Sequence, residues 1–427
     1  MYYFLNKKIV QMAVIRASAV GVALWLQIWL VAAFGAAAYG DYIFFVTLCS
    51  LITIISKGGL DSLALKAAAI AHNNRSSAPV LDTLHAGYVW KGALFTSATC
   101  VGLWALHSLA AWRFPNIPAV NWWLIYPTSV GVVVFQILIA IARGVDRPAV
   151  ADAFDAIVRN GLMALVALAL VSAHFVSAES AIASYAISFY LASVLLYLMA
   201  RVGGRSAGGA KVVSQYYGVK VHFGFMLSGL LSYLFFQMDT LILGAYVSAA
   251  ELGAYNMACN LVRAVIFIPM ILVVLVQPRI AVAFEKADMR GVTRIAVVGI
   301  GLSFVAASLC SALLWLLGEF FLVWIDPVFL IAKDAMLILS VAHIANSVLM
   351  VVGGVVSMTS RYLDVVKAQL IGGLAALTLY GVLIPEYGLV GAALAMFAGL
   401  LIVVVCYLFM YGKHLPKIYG FLLPQAK

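Results

Sequence analysis

Apolar runs separated by short polar interruptions fill the chain from one end to the other. About 20 apolar residues span the hydrocarbon core of a bilayer as a helix. By that measure the pattern predicts twelve spans, at roughly 9–33, 41–64, 86–110, 119–142, 154–174, 179–200, 221–246, 252–276, 292–317, 328–356, 362–383 and 387–411. The stretch from Phe235 to Arg263, FFQMDTLILGAYVSAAELGAYNMACNLVR, organises the rest. Two apolar runs meet there at a polar hinge around Glu251 and Gly253. The first run carries Asp239, and the second carries Asn256, Asn260 and Arg263.

An ionisable group inside such a run costs about 2.5–3.5 kcal/mol on insertion scales, so it normally faces a bundle interior or a wet cavity. Helical spacing puts Asn256, Asn260 and Arg263 on one face, and Ser228, Ser232 and Asp239 on one face of the preceding span. The first two spans repeat the arrangement. Arg16 and Gln27 share a face of the first, and Ser50, Thr53, Lys57 and Asp61 share a face of the second. Ser340, His343 and Asn346 add a stripe on the tenth. These stripes predict a central polar cavity walled mainly by spans one, two, seven and eight.

The interruptions alternate in charge. Lys66, Arg75 and Lys91, then Arg143 and Arg147, then Arg201, Arg205, Lys211 and Lys220 mark one side. Arg279, Lys286, Arg290 and Arg294, then Arg361 and Lys367, and finally Lys413, Lys417 and Lys427 continue it. The other side holds mostly acids, such as Asp41, Glu179, Glu251, Glu319, Asp326 and Glu386, with Arg113 and Lys333 as exceptions. The positive-inside rule then places both termini in the cytoplasm. Trp112, Trp122, Trp123 and Trp324 fall at external ends, where an aromatic belt belongs.

The longest interruption, with GGRSAGGAK, reads as a flexible linker. It divides the chain into a six-helix lobe at 1–200, a cytoplasmic linker at 201–220, a second six-helix lobe at 221–411 and a cytoplasmic tail at 412–427. AAAYGDY (36–42) and AAELGAY (249–255) occupy matching hinges 213 residues apart. A six-helix repeat keeps both halves in one orientation, and transporters place their site at such a repeat interface.

Composition adds exclusions. Of 427 residues 65% are hydrophobic and 10% charged, which leaves no room for a large soluble domain. The net charge of +10 is spread over loops and forms no single patch for nucleic acid. The five cysteines lie inside apolar runs without CxxC spacing and read as small buried hydrophobes. Lys7 and Lys8 give the N-terminus some signal-peptide character, but Arg16 interrupts a long run, so this segment is expected to remain as the first helix. No P-loop, metal-ligand cluster or nucleophile–base pattern occurs, so neither an enzyme nor a bound cofactor is expected.

Three stretches carry a resemblance: AYGDY in the first hairpin, QMDTLILGAYVSAAELGAYNMACNLV with VQPRIAVAF, and LIPEYGLVGAALA before the last span. With them the chain resembles the polysaccharide-unit flippases of the Wzx type, within the MOP exporter superfamily that also holds MATE drug antiporters and lipid II flippases. The resemblance implies an all-α bundle of two lobes that rocks between inward- and outward-open states in the bacterial inner membrane. The implied substrate is an undecaprenyl-diphosphate-linked oligosaccharide, with membrane lipids and other polysaccharide assembly proteins as partners and a proton or sodium ion as candidate coupling ion. A MATE-like antiporter of organic cations is the alternative, and a membrane polysaccharide polymerase or ligase a further one. A cation exporter calls for a carboxylate-dominated cavity, whereas here Arg16, Lys57 and Arg263 balance Asp61 and Asp239. Polymerases and ligases need sizeable external loops, and these are short.

A lipid pyrophosphate must leave water and cross a low-dielectric barrier, and arginine binds phosphate oxygens bidentately. Arg263, about halfway along its span, is the first candidate, against a bland reading as an ion pair with Asp239. Arg16 and Lys57 lie nearer the cytoplasmic ends, where snorkelling competes with a substrate role. Lys57 and Asp61 stand at i, i+4 and can simply neutralise each other. Asp239 and His343 are each open to a proton-handling role or to plain interhelical hydrogen bonding.

Overall fold

The computed structural model describes residues 7–73, 79–113, 121–145, 147–202, 230, 233, 237–286, 288–357 and 362–412. Among these there is no strand. The helices are α1 (Lys7–Phe34), α2 (Ala36–Lys57), α3 (Leu60–Asn73), α4 (Pro79–Arg113), α5 (Trp122–Gly144), α6 (Pro148–Ala153), α7 (Arg159–Ser172) and α8 (Ala178–Val202). They are followed by α9 (Met238–Leu243), α10 (Ala249–Glu285), α11 (Met289–Ile325), α12 (Lys333–Ser357) and α13 (Tyr362–Gly412). A π-helical turn, Phe154–Val158, joins α6 to α7, and a 3-10 turn, Pro327–Ala332, leads into α12. Nine helical stretches among the described residues are long and apolar enough to cross a membrane. The last of them covers two predicted spans, because α13 bends at Gly388 (φ 53°, ψ −125°), three residues after Pro385. Residues 203–220 of the linker predicted at 201–220, and most of the seventh predicted span, lie outside the described residues.

The chain falls into two units, Met1–Leu230 and Leu231–Lys427. In the first, α3 lies against α5 through Leu60, Ala64 and Ala68 on one side and Val133, Ile137 and Ile141 on the other. Gly144 allows this approach, since a Cβ there would lie 2.5 Å from the Leu65 carbonyl oxygen and 2.7 Å from the Ala68 Cβ. An aromatic ladder fills the rest of this interior. Tyr42 meets Tyr185 edge-on at 5.9 Å, Tyr185 meets Phe189 at 4.9 Å, and Phe189 meets Phe135 at 5.4 Å.

In the second unit α10, α11 and α12 pack on one another, and α12 packs on α13. The two faces of α11 are inverted relative to a water-soluble helix. Gly299, Ser303, Ala307 and Ser311 are buried, whereas Val298, Leu302, Val305, Leu309, Leu313 and Phe320 are exposed. Small residues let neighbouring backbones approach, and large apolar ones face acyl chains. The protein is a multi-pass membrane protein.

The second span departs from its predicted course. It was expected as one helix over 41–64, but α2 stops at Lys57, and Gly58 (φ 47°) and Gly59 (φ 82°) turn the chain before α3 begins. Left-handed backbone of this kind is open to glycine at little steric cost.

Candidate functional site

The hinge around Glu251 is a helix start. Ser248 caps α10 by accepting from the Glu251 N–H, while the Glu251 carboxylate accepts from the Ser248 N–H at 2.8 Å. This reciprocal pair fixes where α10 begins. From there Asn256, Asn260 and Arg263 descend one face, as their spacing predicted, and they form a ladder. Arg263 Nη1 donates to Asn260 Oδ1 at 2.9 Å, and Asn260 Nδ2 donates to Asn256 Oδ1 at 3.0 Å. Asn256 is buried and Arg263 is exposed.

Asp239 is deeply buried at 2% exposure and does not pair with Arg263, contrary to the ion-pair reading. Its Oδ1 accepts from the Thr240 N–H at 2.7 Å, and its Oδ2 accepts from the Tyr255 hydroxyl at 2.8 Å. Local geometry explains the outcome: α9 is short, so Asp239 sits in its first turn and caps the adjacent backbone. The nearest α10 donor it meets is Tyr255, two turns before Arg263. Among the described residues Arg263 makes no hydrogen bond or salt bridge to a carboxylate, and its guanidinium is tied to an amide, with Asp239 only within electrostatic reach.

His343 and Asn346 are both buried on α12. The Nδ1 atom of His343 has no hydrogen-bond partner among the described residues, and neither has the buried hydroxyl of Tyr380 on α13. His343 lies within electrostatic reach of Arg263, and Tyr380 within reach of Asp239. In the second unit Asn256, Asn260 and Arg263 are joined by hydrogen bonds and Asp239 and His343 lie within electrostatic reach of Arg263, while Asn346 is buried one turn from His343 on α12.

In the first unit Lys57 and Asp61 are joined across the glycine break. Lys57 Nζ donates to Asp61 Oδ2 at 2.7 Å and to Gln136 Oε1 on α5 at 2.9 Å. Both members of the pair are partly exposed, at 21% and 27%. One turn before Lys57, the buried Thr53 hydroxyl has no hydrogen-bond partner among the described residues. Arg16 belongs to α1, but its side chain lies outside the described residues. Gln136, Tyr255 and Tyr380 were not read from the sequence. Gln136 is the one amide in α5 and was open to notice, whereas the tyrosines looked like ordinary membrane aromatics. No cluster of histidine, cysteine and carboxylate suited to a metal occurs among the described residues.

The sequence pattern of one family runs through most of both hairpins just described, matching residues 9–284, and its description is "Polysaccharide biosynthesis protein". That span covers well over half of the chain. The chain belongs to the polysaccharide biosynthesis protein family. This family member also resembles solved structures of the MOP superfamily. The lipid II flippase MurJ in an inward closed conformation superposes with a TM-score of 0.71 at 14% identity, over 96% of this chain and 90% of that one. A multidrug resistance MATE family transporter in an inward-facing conformation gives 0.65 at 12%, over 97% and 100%. The Vibrio cholerae MATE transporter VcmN gives 0.65 at 13%, over 97% and 98%. At such identities the likeness establishes the fold, and the fold of this polysaccharide biosynthesis protein is that of the MOP superfamily. No curated protein matches the sequence at a significant level.

Proposed function

We propose that the protein is a flippase that moves undecaprenyl-diphosphate-linked oligosaccharide units from the cytoplasmic to the periplasmic leaflet of the bacterial inner membrane. In this reading both termini are cytoplasmic, and the lobes alternate access to a polar chamber. The product feeds surface polysaccharide such as O-antigen, capsule or exopolysaccharide. The observation that carries the reading is Arg263, a guanidinium in the middle of an apolar helix with an amide contact and no salt bridge to a carboxylate among the described residues. A cation in that position favours an anionic headgroup over an organic cation. Membership of a polysaccharide biosynthesis family supports a glycan-bearing cargo.

Arg263 is assigned the pyrophosphate, with Asn256, Asn260, His343 and Asn346 as polar lining. Asp239 braces the start of α10 through Tyr255. Lys57 with Asp61 forms polar lining in the first unit, and Arg16 is assigned to first capture of the anion. The inside-negative potential assists export, because each negative charge moved outward gains about 2.3 kcal/mol per 100 mV. Proton or sodium coupling is not required by that energetics.

Deletion of the gene tests the proposal. Lipid-linked repeat units then accumulate on the cytoplasmic face and surface polysaccharide is lost. Arg263→Ala fails to restore the coat, Arg263→Lys restores part of it, and both insert normally. Full complementation by Arg263→Ala removes this residue from the site. An intact coat with increased sensitivity to cationic drugs replaces the proposal with a MATE-like antiporter.

A further inference from the structure

We propose that the first unit carries a carbohydrate-binding subsite at the end of α5 opposite Arg143, where it receives sugar rings of the glycan cargo. The cargo identity rests on the function proposed above. A cavity of about 540 Å³ opens there between the start of α5 and the turn from α7 to α8. It is an open depression, suited to laying a ring on its surface rather than enclosing it.

Its apolar wall is aromatic and uncovered. Trp123 is 90% exposed and Phe175 62% exposed, with Leu170 beside them. The backbone places Phe175 deliberately. His174 adopts φ 65° and ends α7, the Phe175 N–H reaches the Leu170 carbonyl at 2.9 Å, and the His174 N–H reaches Val171 at 3.0 Å. This pair of bonds is a Schellman cap, which brings the residue after the left-handed position onto the last turn of the helix. Its usual left-handed residue is glycine. Here a histidine holds the geometry, at a backbone cost of about 1–2 kcal/mol.

The rest of the lining is mostly polar. Glu179, Ser177 and Asn121 belong to it. The Ser177 hydroxyl lies 3.1 Å from that of Ser180 and also accepts the Ser180 N–H at 3.2 Å. Among the described residues Glu179 has no ion-pair partner, and no lysine or arginine lines the cavity. Among the described residues a phosphate or anionic lipid head meets only a negative charge. A saccharide meets what it needs: a flat aromatic face for the C–H side of the ring, and a carboxylate, hydroxyl and amide for its hydroxyl groups. An aromatic belt alone accounts for Trp123, but not for the acid and hydroxyls concentrated across the same concavity. The helical length of α5, about 33 Å, separates this site from Arg143, so the positive-inside rule assigns it to the outer side, where flipped sugars emerge.

The test is binding of free oligosaccharide, released by hydrolysis from the host's surface polysaccharide, to the purified full-length protein in nanodiscs, followed by saturation-transfer NMR. The parent protein and Arg263→Ala bind equally, Trp123→Phe binds within about threefold, and Trp123→Ala and Glu179→Gln each bind about tenfold more weakly. Trp25→Ala, at another exposed tryptophan, leaves binding unchanged. Equal binding by parent, Trp123→Ala and Glu179→Gln overturns the subsite, as does absence of binding by the parent. Neither outcome touches the flippase proposal, which stands or falls on the deletion phenotype.

Discussion

Tyr255→Phe is the sharpest probe of how the second unit holds its buried carboxylate. The substitution keeps the ring and removes one oxygen. Asp239 then loses the 2.8 Å bond to Oδ2, while the Thr240 N–H at 2.7 Å still serves Oδ1. A hydrogen bond to a charged group contributes about 1.5–3 kcal/mol, and Asp239 is too buried for bulk water to replace it. For a unit of roughly 200 residues, each kcal/mol moves the melting point by about 2–4 °C, so the expected loss is about 3–12 °C. Thermal unfolding of the detergent-solubilised protein, followed by static light scattering or a thiol-reactive dye, measures it. Asp239→Asn combined with Tyr255→Phe then costs less than the sum of the single changes by about 1 kcal/mol or more, because the two residues act on one bond. A melting point within about 1 °C of the parent for Tyr255→Phe, or additive costs in the double variant, refutes the bond as the support of Asp239.

Other outcomes are equally checkable. Gly144→Ala destabilises the first unit by about 1–3 kcal/mol, since its methyl runs into the backbone of α3. Gly161→Ala on α7, where a Cβ meets nothing within 4 Å, raises the melting point or leaves it unchanged. His174→Gly relieves the left-handed backbone and stabilises by about 0.5–1 kcal/mol after the extra freedom of the unfolded glycine is deducted, read in the same melt. Lys57→Met leaves Asp61 without its cation and costs more stability than Lys57→Met with Asp61→Leu, because an unpaired, half-buried charge is worse than none. Equal melting points for those two variants show that leaving Asp61 without its cation carries no penalty.

How much of this was legible differs from helix to helix. The face formed by Asn256, Asn260 and Arg263 follows from helical periodicity, and three side chains on one turn-by-turn stripe can form a ladder without outside help. The bend in α13 was also readable, because Pro385 falls between the last two predicted spans and Gly388 stands just inside the last one, in LIPEYG. The stop after Lys57 was missed although a Gly-Gly pair marks it. Apolar residues continue on both sides, and periodicity alone does not register two residues of left-handed backbone. Gln136 and Tyr255 became relevant only through tertiary neighbours, Lys57 and Asp239, which no spacing along one element reveals. The start of α10 carried a Ser-x-x-Glu signature, SAAE, hidden within a hinge read only as polar. The cap at His174 lacked the glycine that normally advertises it.

The break at Gly58 and Gly59 has a further consequence for how charge is distributed. A helix that ends inside a bundle leaves its final carbonyls facing outward with a partial negative charge, roughly half an elementary unit for the whole helix. Lys57 is the last residue of α2 and so rests on that negative pole as well as on Asp61 and Gln136. Its ammonium therefore has one carboxylate, one amide oxygen and the helix pole as neighbours before any visitor arrives. Replacing the glycine pair with Ala-Ala, so that the helix runs on, removes the pole but keeps Asp61 one turn away at i, i+4, and Lys57 stays a paired brace.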